Sequence, residues 1–101
     1  MKVRNMESPR SGRAVANQYI ITDGERVAFQ SYESMIAEID YSGAVITIGE
    51  DWNYSNTTTK YRNAFFDEMY IYEMNSTEKV RKALKAGAVS INGYKFAIVR
   101  A

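Results

Sequence analysis

The densest cluster of chemically versatile side chains lies between Trp52 and Arg62, where aromatic rings stand among hydroxyl, amide and basic groups. Free backbone N–H groups at a helix start, helped by hydroxyls and cations, can bind a phosphate or a carboxylate. Tryptophan and tyrosine are also enriched among the residues that dominate protein interfaces. The pattern therefore predicts a partner-binding surface formed by Trp52, Tyr54 and the outward-facing helical residues Thr57, Thr58, Lys60 and Arg62. The competing interpretation is plain helix capping, with Trp52 partly buried.

Basic side chains concentrate towards the two ends of the chain, whereas residues 31–59 carry five acidic side chains and no basic one. This asymmetry occurs where acidic and basic residues pair within the fold or lie on charged faces exposed to solvent. It also occurs in proteins that recognise a charged partner. Nucleic-acid binding is therefore an alternative function, with phosphate contacts expected from Arg10, Arg13, Lys79, Arg81, Lys82 and Lys85. Lys95 and Arg100 extend the C-terminal set. Base stacking is not expected, because Tyr94 and Phe96 are placed on the core side of their strand.

The composition excludes several kinds of catalysis. The chain has no cysteine and no histidine, so a Ser-His-Asp triad, a thiol nucleophile and a metal bound by histidine or cysteine are impossible. Carboxylates are frequent between Glu33 and Asp51, but no spacing marks a pair for acid–base catalysis or for a metal ion. There is also no calcium loop, P-loop or dinucleotide fingerprint. We therefore predict a protein that is not an enzyme and that has no cofactor and no metal site.

The elements that position these residues follow from periodicity and turn signals. Asp23-Gly24 and Asn92-Gly93 predict tight hairpins, and Ser55 or Asn56 is a suitable N-cap for a helix. Asn75 begins a second capping motif, and Gly87 is placed to end the helix that follows it. The predicted helices cover residues 57–73 and 77–86, and the predicted strands cover residues 17–22, 27–32, 34–40, 44–48, 88–91 and 94–99.

These elements predict one α+β domain over residues 1–101. We expect an antiparallel meander of about four strands, then two helices packed on one face of the sheet, and a C-terminal hairpin. A separate second sheet formed by the last hairpin is the alternative. Residues 1–14, which contain the only proline, are expected to form an ordered turn or a mobile basic arm. No apolar run approaches the ~18 residues of a membrane span and no signal peptide is evident, so we expect a soluble cytoplasmic protein without a membrane partner.

Two stretches resemble known sequence patterns. Residues 29–37, Phe-Gln-Ser-Tyr-Glu-Ser-Met-Ile-Ala, are similar to an aromatic-x-Ser-Tyr-x-Ser/Thr-x-Ile-Ala pattern. Residues 52–66, from Trp52 to Phe66, are similar to a Trp-x-Tyr-Ser-x-Thr-Thr-x-Lys-aromatic pattern that enters a helix. In this order the two patterns resemble a family of small uncharacterised proteins of phages and mobile elements. The resemblance covers residues 29–66 and brings no catalytic residues with it.

The resemblance implies a viral accessory context, because small phage proteins without catalytic equipment often act stoichiometrically on host machinery. The expected function is thus non-enzymatic binding of a host protein or ribonucleoprotein complex in the cytoplasm of a bacterial host. Inhibition of a host defence system, as by an anti-CRISPR protein, is the form of binding that we expect. Nucleic-acid binding is the first alternative. A structural phage protein whose edge strands pair with a second copy, giving a homodimer, is the second.

Overall fold

The computed structural model describes residues 1–101 and is built around a seven-stranded mixed β-sheet. Two helices follow the fifth strand, with a 3₁₀ turn at Tyr72–Met74 between them. The helices are α1 (Asn56–Glu68) and α2 (Thr77–Ala86). The strands are β1 (Lys2–Glu7), β2 (Ala14–Asp23), β3 (Arg26–Ser31), β4 (Ser34–Asp40), β5 (Val45–Ile48), β6 (Ala88–Ile91) and β7 (Tyr94–Arg100).

The strand order is β1-β2-β3-β4-β5-β7-β6, and every neighbouring pair is antiparallel except β5 and β7, which run parallel. The predicted α+β class is therefore confirmed, while the four-strand meander is coarser than the sheet that forms. The alternative with a separate second sheet is wrong, because Val45 pairs with Ala97 and Ile48 pairs with Arg100. The C-terminal hairpin thus extends the same sheet, with β7 inserted between β5 and β6.

The first strand corrects the prediction for residues 1–14. Lys2 to Glu7 pair with Ala14 to Thr22 of β2, so this segment is an edge strand rather than a mobile arm. Only the connection from Ser8 to Arg13 is a turn, in which the Gly12 N–H donates to the Ser8 carbonyl at 2.9 Å. The sequence signal is weak because an edge strand buries few side chains, and here Met6 is the one that joins the core.

Helix α1 begins where the capping pattern indicates and ends earlier than its periodicity suggests. Ser55 is the N-cap, since its Oγ accepts from the Thr58 N–H at 3.1 Å. The helix stops at Glu68 rather than Glu73, because Tyr70 adopts a left-handed backbone with φ of 59°. A left-handed residue cannot continue an α-helix.

Helix α2 is capped by Ser76 rather than by Asn75, through a 3.2 Å hydrogen bond from the Lys79 N–H to Ser76 Oγ. Gly87 ends it at φ of 75°, as predicted, because glycine adopts this conformation without a steric cost.

The core joins α1 to the middle of the sheet. The rings of Phe29 and Phe65 are stacked with centroids 5.9 Å apart, and Phe66 lies 5.4 Å from Phe65. Arg4 of β1 donates a hydrogen bond of 2.8 Å to the carboxylate of Glu68, the last residue of α1. Helix α2 buries Val80 and Ala83 and lies against the C-terminal hairpin. The sheet face opposite Phe29 is therefore the face that α1 leaves open.

Candidate functional site

The largest cavity is a groove of about 1060 Å³ that begins on this open sheet face and passes the ends of β3 and β4. Val3 and Ile21 are register partners, as are Tyr19 and Gln30, so these four side chains share the open face. At its other end the groove reaches the loop before α1. Its lining consists of Val3, Asn17, Tyr19, Ile21, Gln30, Ser31, Tyr32, Glu33, Ser34, Ile36, Asp51, Tyr54 and Thr58.

Unusual backbone conformations shape the groove at the connection between β3 and β4. Asn17 and Tyr32 both have positive φ, of 67° and 55°, and the Tyr32 N–H donates to the Asn17 carbonyl at 2.7 Å. Residues other than glycine are uncommon in this region, and such residues cluster at functional sites. The register then shifts between β3 and β4, which leaves Ile36 as an extra residue on the groove side. Tyr32 itself is 58% exposed and lies on the groove rim.

The loop before α1 is held close to β4 by Gly49. Its N–H donates to the Ile36 carbonyl at 2.8 Å, and a Cβ on this residue would overlap the carbonyl oxygen of Met35. Only glycine fits this approach. The same loop places Asp51 on the groove, where its Oδ2 accepts from Ser34 Oγ at 2.8 Å.

The groove is acidic. Glu33 and Asp51 line it and no lysine or arginine does. Neither carboxylate takes part in the three ion pairs of the molecule, which join Arg4 to Glu68, Arg26 to Asp40 and Arg81 to Glu78. A positively charged group entering the groove would therefore meet two carboxylates that are not neutralised by protein cations.

Buried polar groups lie beside the groove at the start of α1. Thr58 Oγ1 is 3.2 Å from Ser31 Oγ and accepts from Ser55 Oγ at 3.1 Å. Gln18 is the register partner of Ser31 and is buried, yet its side-chain amide nitrogen and oxygen have no hydrogen-bond partner. A buried amide is normally paired, so Gln18 carries hydrogen-bonding capacity that the protein does not use. Sequence reasoning missed Gln18, and no local pattern marks it.

Arg62 corrects the prediction of an outward-facing basic residue. Its side chain is fully buried and donates to the Trp52 carbonyl at 2.8 Å, to Asn63 Oδ1 at 2.8 Å and to Thr77 Oγ1 at 2.6 Å. No carboxylate pairs with it. Burial, with a smaller contribution from the Arg81 cation, lowers the pKa of Arg62 to about 10. The guanidinium therefore joins the loop before α1 to the start of α2 and cannot reach a partner.

The other five residues of the predicted partner-binding surface differ in burial and in their position relative to the groove. Trp52 is half-buried, as expected, with the guanidinium carbons of Arg62 and Arg81 at 5.3 and 5.8 Å from its ring centroid. Thr58 is buried, so its predicted outward orientation is also wrong. Thr57 and Lys60 are exposed on α1, outside the groove lining. Tyr54 is exposed and, with Thr58, lines the groove. The structure thus brings only Tyr54 and Thr58 of the six together with the groove residues.

The residues predicted to bind nucleic acid occupy two edges of the sheet. Arg10 and Arg13 lie in the connection between β1 and β2 at one edge, whereas the four others lie on α2 near β6 and β7 at the other. Lys79 Nζ donates to the Tyr72 carbonyl and to Asn75 Oδ1, both at 2.9 Å. The two sets therefore do not form one continuous strip along the sheet, and Lys82 and Lys85 remain exposed without an ion pair.

The C-terminal hairpin also differs from its prediction in one side chain. Phe96 is buried as expected, but Tyr94 is exposed and lies beside the turn at Asn92 and Gly93. Tyr94 stands at the strand end, where the alternation of the strand no longer places a side chain against the core.

Two further properties of the molecule bear on partners. No group of three or more carboxylates is close enough to hold a metal ion. Neither helix has the length and apolar character that crossing a bilayer requires.

Comparison with known protein families identifies a match. A family model described as a family of unknown function (DUF8033) matches residues 1–86, which include the whole groove and both sequence patterns at residues 29–37 and 52–66. The match ends at the last residue of α2 and leaves out β6 and β7. No curated protein and no solved structure matches the chain.

Proposed function

This chain belongs to DUF8033, a family of unknown function, and we propose that it is a non-enzymatic protein that binds a segment of another protein in its groove. The observation that carries the proposal is the groove itself, which combines apolar side chains, exposed tyrosines and unpaired carboxylates over about 1060 Å³. Binding sites are typically concave and largely apolar, with a few polar groups that fix orientation. Tyrosine supplies large contact area at low entropic cost, which suits recognition of a polypeptide.

The proposed partner segment is positively charged, because the groove carries acidic side chains and no basic ones. Charge complementarity raises the rate of encounter and selects among partners. A nucleic acid in the groove would instead face two carboxylates, which repel phosphate. The acidic groove and the basic surface of α2 therefore suit partners of opposite charge.

The placement of the helices is part of the proposal. Ile98 of β7 pairs with Ile46, which lies on the same sheet face as Ile48 and, through the register, as Phe29 under α1. Register partners share a face, and α2 lies against β7. We propose that both helices cover this face and leave the groove face free for the partner.

The proposed biological role is that of a phage accessory protein whose partner is a host protein or ribonucleoprotein complex. The support is the resemblance of residues 29–37 and 52–66 to small proteins of phages and mobile elements. Inhibition of a host defence system, as by an anti-CRISPR protein, is the form of action that we propose, because a stoichiometric binder can block a complex without catalysis.

The test compares two glycine variants. Tyr32→Gly removes an exposed ring from the groove rim, and glycine adopts the positive φ of this position without strain. Tyr70→Gly is the matched control, because Tyr70 is also left-handed and exposed, at φ of 59° and 71% exposure, but does not line the groove. A photoreactive benzoylphenylalanine at position 54 reports whether a captured host protein lies at the groove.

We expect the wild type and Tyr70→Gly to capture the same host protein, with a cross-link from position 54, and Tyr32→Gly to lose it. Rescue of phage plating on a defended strain should follow the same order. Capture that Tyr32→Gly leaves unchanged, without a cross-link at position 54, would overturn the proposal.

Lys82 and Lys85 favour nucleic-acid binding as a second candidate function, since both are exposed and neither has an ion-pair partner. Binding through two to four phosphates should weaken roughly ten- to hundredfold between about 50 and 200 mM salt. We expect Lys82→Glu/Lys85→Glu to abolish retention of a labelled oligonucleotide, and Arg10→Glu/Arg13→Glu to matter much less. No retention at low salt would exclude this function. If neither a protein nor a nucleic acid binds and light scattering shows a defined oligomer, the structural role is favoured, in which edge strand β1 pairs with that of a second copy.

A further inference from the structure

We propose that the rim of the groove near Tyr32 and Asp51 is a seat for an arginine side chain of the partner segment. The inference rests on the proposed function, because it concerns the same groove, and it names the chemical group that the groove selects. The seat is formed by residues that come from three separate parts of the chain: the β3–β4 connection, the loop before α1 and β2.

Two carboxylates on the groove are free to accept hydrogen bonds from a cation. Asp51 is held in place by Ser34 Oγ, which donates to Oδ2 at 2.8 Å, and its Oδ1 accepts no hydrogen bond from the protein. Glu33 precedes Ser34 in the chain, lines the same groove, and is exposed and free of ion pairs. An oriented carboxylate with a free oxygen is the usual acceptor for a guanidinium N–H.

Aromatic side chains line the same groove. Tyr19, Tyr32 and Tyr54 all line the groove, and Tyr32 and Tyr54 keep most of their ring surface exposed. A cation over a tyrosine ring is attracted by the electron-rich face of the ring. Aromatic walls and carboxylates together therefore favour a cation with a flat, weakly hydrated surface.

Arginine meets these requirements better than lysine does. Its planar guanidinium can stack on a tyrosine ring while its N–H groups donate to a carboxylate, and it sheds water more easily than an ammonium group. The molecule already contains this kind of contact, since the Arg81 guanidinium lies 5.8 Å from the Trp52 ring while it pairs with Glu78 at 2.7 Å. The groove presents the same combination of groups without a cation of its own.

The test is a titration of the ¹⁵N-labelled full chain, followed by its backbone amide resonances. The probes are N-acetylarginine methylamide, the corresponding lysine compound and the citrulline compound, which has the shape of arginine without the charge. We expect the arginine probe to shift the amides of Tyr32, Ser34 and Asp51 in a saturable way. The citrulline probe should bind about tenfold more weakly, because charge-assisted hydrogen bonds are roughly twice as strong as neutral ones.

Isosteric variants complete the test. Asp51→Asn and Glu33→Gln should each weaken the arginine probe several-fold, while Glu50→Gln should leave it unchanged, because Glu50 is exposed next to Asp51 but does not line the groove. Equal binding of arginine and citrulline, or an unaffected Asp51→Asn variant, would overturn the arginine seat and leave groove binding standing. Absence of any shift at the groove amides would also overturn the seat. The cross-link from position 54 decides the proposed function separately.

Discussion

Arg62 donates hydrogen bonds to a loop carbonyl, to a neighbouring amide and to a hydroxyl at the start of α2, while its side chain is closed off from solvent. Its lowered pKa reflects the cost of holding a cation in that position. In return, a single planar guanidinium group donates hydrogen bonds to acceptors in three segments and fixes their relative positions. A residue that looks like a binding group in the sequence is thus a structural link.

This structural role predicts that substitution of Arg62 lowers the stability of the fold far more than substitution of Arg81, although both guanidinium groups lie near the Trp52 ring. Arg62→Met should lower the free energy of unfolding by about 2–4 kcal/mol, because it leaves partly buried acceptors of Trp52, Asn63 and Thr77 without their donor. Arg81→Met should cost no more than about 1 kcal/mol, since Arg81 is exposed and its ion pair with Glu78 is at the surface. Urea unfolding followed by tryptophan fluorescence and circular dichroism measures both. Equal effects of the two variants would contradict the structural role.

At the scale of residues, the sequence predicts the site only where neighbours in the chain are also neighbours in space. Tyr54 and Thr58 were within reach of such reasoning, because both belong to the aromatic and hydroxyl cluster before α1. Tyr32, Glu33 and Gln18 were not, since their place beside Asp51 and Thr58 arises from strand pairing. Whether a basic residue such as Arg62 faces solvent also depends on contacts with α2, which a periodicity within α1 does not contain.

The amino-acid composition of residues 2–7 does not indicate that they form the edge strand β1. Its polar and basic side chains are typical of a solvated segment, and five of its six residues are exposed. Its backbone nevertheless completes the ladder with β2, and Met6 closes one side of the core. Charged residues on an edge strand also discourage pairing with other chains.

A pair of substitutions in β1 distinguishes a strand from a mobile arm. Met6→Ala should lower the free energy of unfolding by about 2–4 kcal/mol, because it opens a cavity in the core. Val3→Ala should cost less than about 1 kcal/mol, since Val3 is 57% exposed whereas Met6 is 4% exposed. Chemical unfolding measures both, and amide hydrogen exchange in β1 provides a second readout. A Met6→Ala variant as stable as the wild type would return residues 1–7 to the status of an arm.

The elements whose positions are predicted correctly from the sequence are those marked by a few adjacent residues, such as turn and capping residues. The hairpin at Asp23-Gly24, the Ser55 cap and the Gly87 helix end each depend on a few adjacent residues and are present in the structure. The predicted end of α1 at Glu73 is wrong because Tyr70 adopts a left-handed backbone. Residues other than glycine are uncommon in that conformation, so a tyrosine in the sequence does not indicate it. The Ile71 N–H then donates to the Phe66 carbonyl at 2.8 Å and fixes the exit.

At the scale of the whole molecule, the charges are separated into an acidic groove and a basic helix α2. The acidic residues of the middle of the chain lie partly on the groove, and the basic residues of the C-terminal part lie largely on α2. No acidic residue of the first set pairs with a basic residue of the second, because the three ion pairs join Arg4 to Glu68, Arg26 to Asp40 and Arg81 to Glu78. The separation suits a protein that presents different surfaces to differently charged partners.

The order of the strands could not be taken from the sequence beyond the meander. Hairpins carry turn signals, but the parallel pairing of β5 with β7 has none, because the two strands are joined through both helices and β6. Hydrophobic alternation predicts that Ile46 and Ile98 are buried, but it does not indicate that the two residues are paired in the sheet. Such pairings are set by the packing of the complete molecule.

The insertion of β7 between β5 and β6 has a consequence for folding at high concentration. The hairpin of β6 and β7 joins the rest of the sheet only through β5, and contacts between distant parts of a chain form late. Until then the β5 edge is open, and the hairpin of a second molecule can occupy it, giving a domain-swapped dimer. We expect refolding from urea at high protein concentration to yield a dimer that persists on dilution, and refolding at low concentration to yield a monomer.

Such a dimer would still carry two complete grooves, because every groove residue lies between Val3 and Thr58 of a single chain. Size-exclusion chromatography with light scattering measures the exchange, and the arginine probe measures the grooves. A chain that refolds only as a monomer at every concentration would show that β7 docks on its own β5 faster than molecules meet. Exchange would make the protein bivalent without altering its binding surface, and two linked grooves would hold a partner with repeated basic segments more tightly than one.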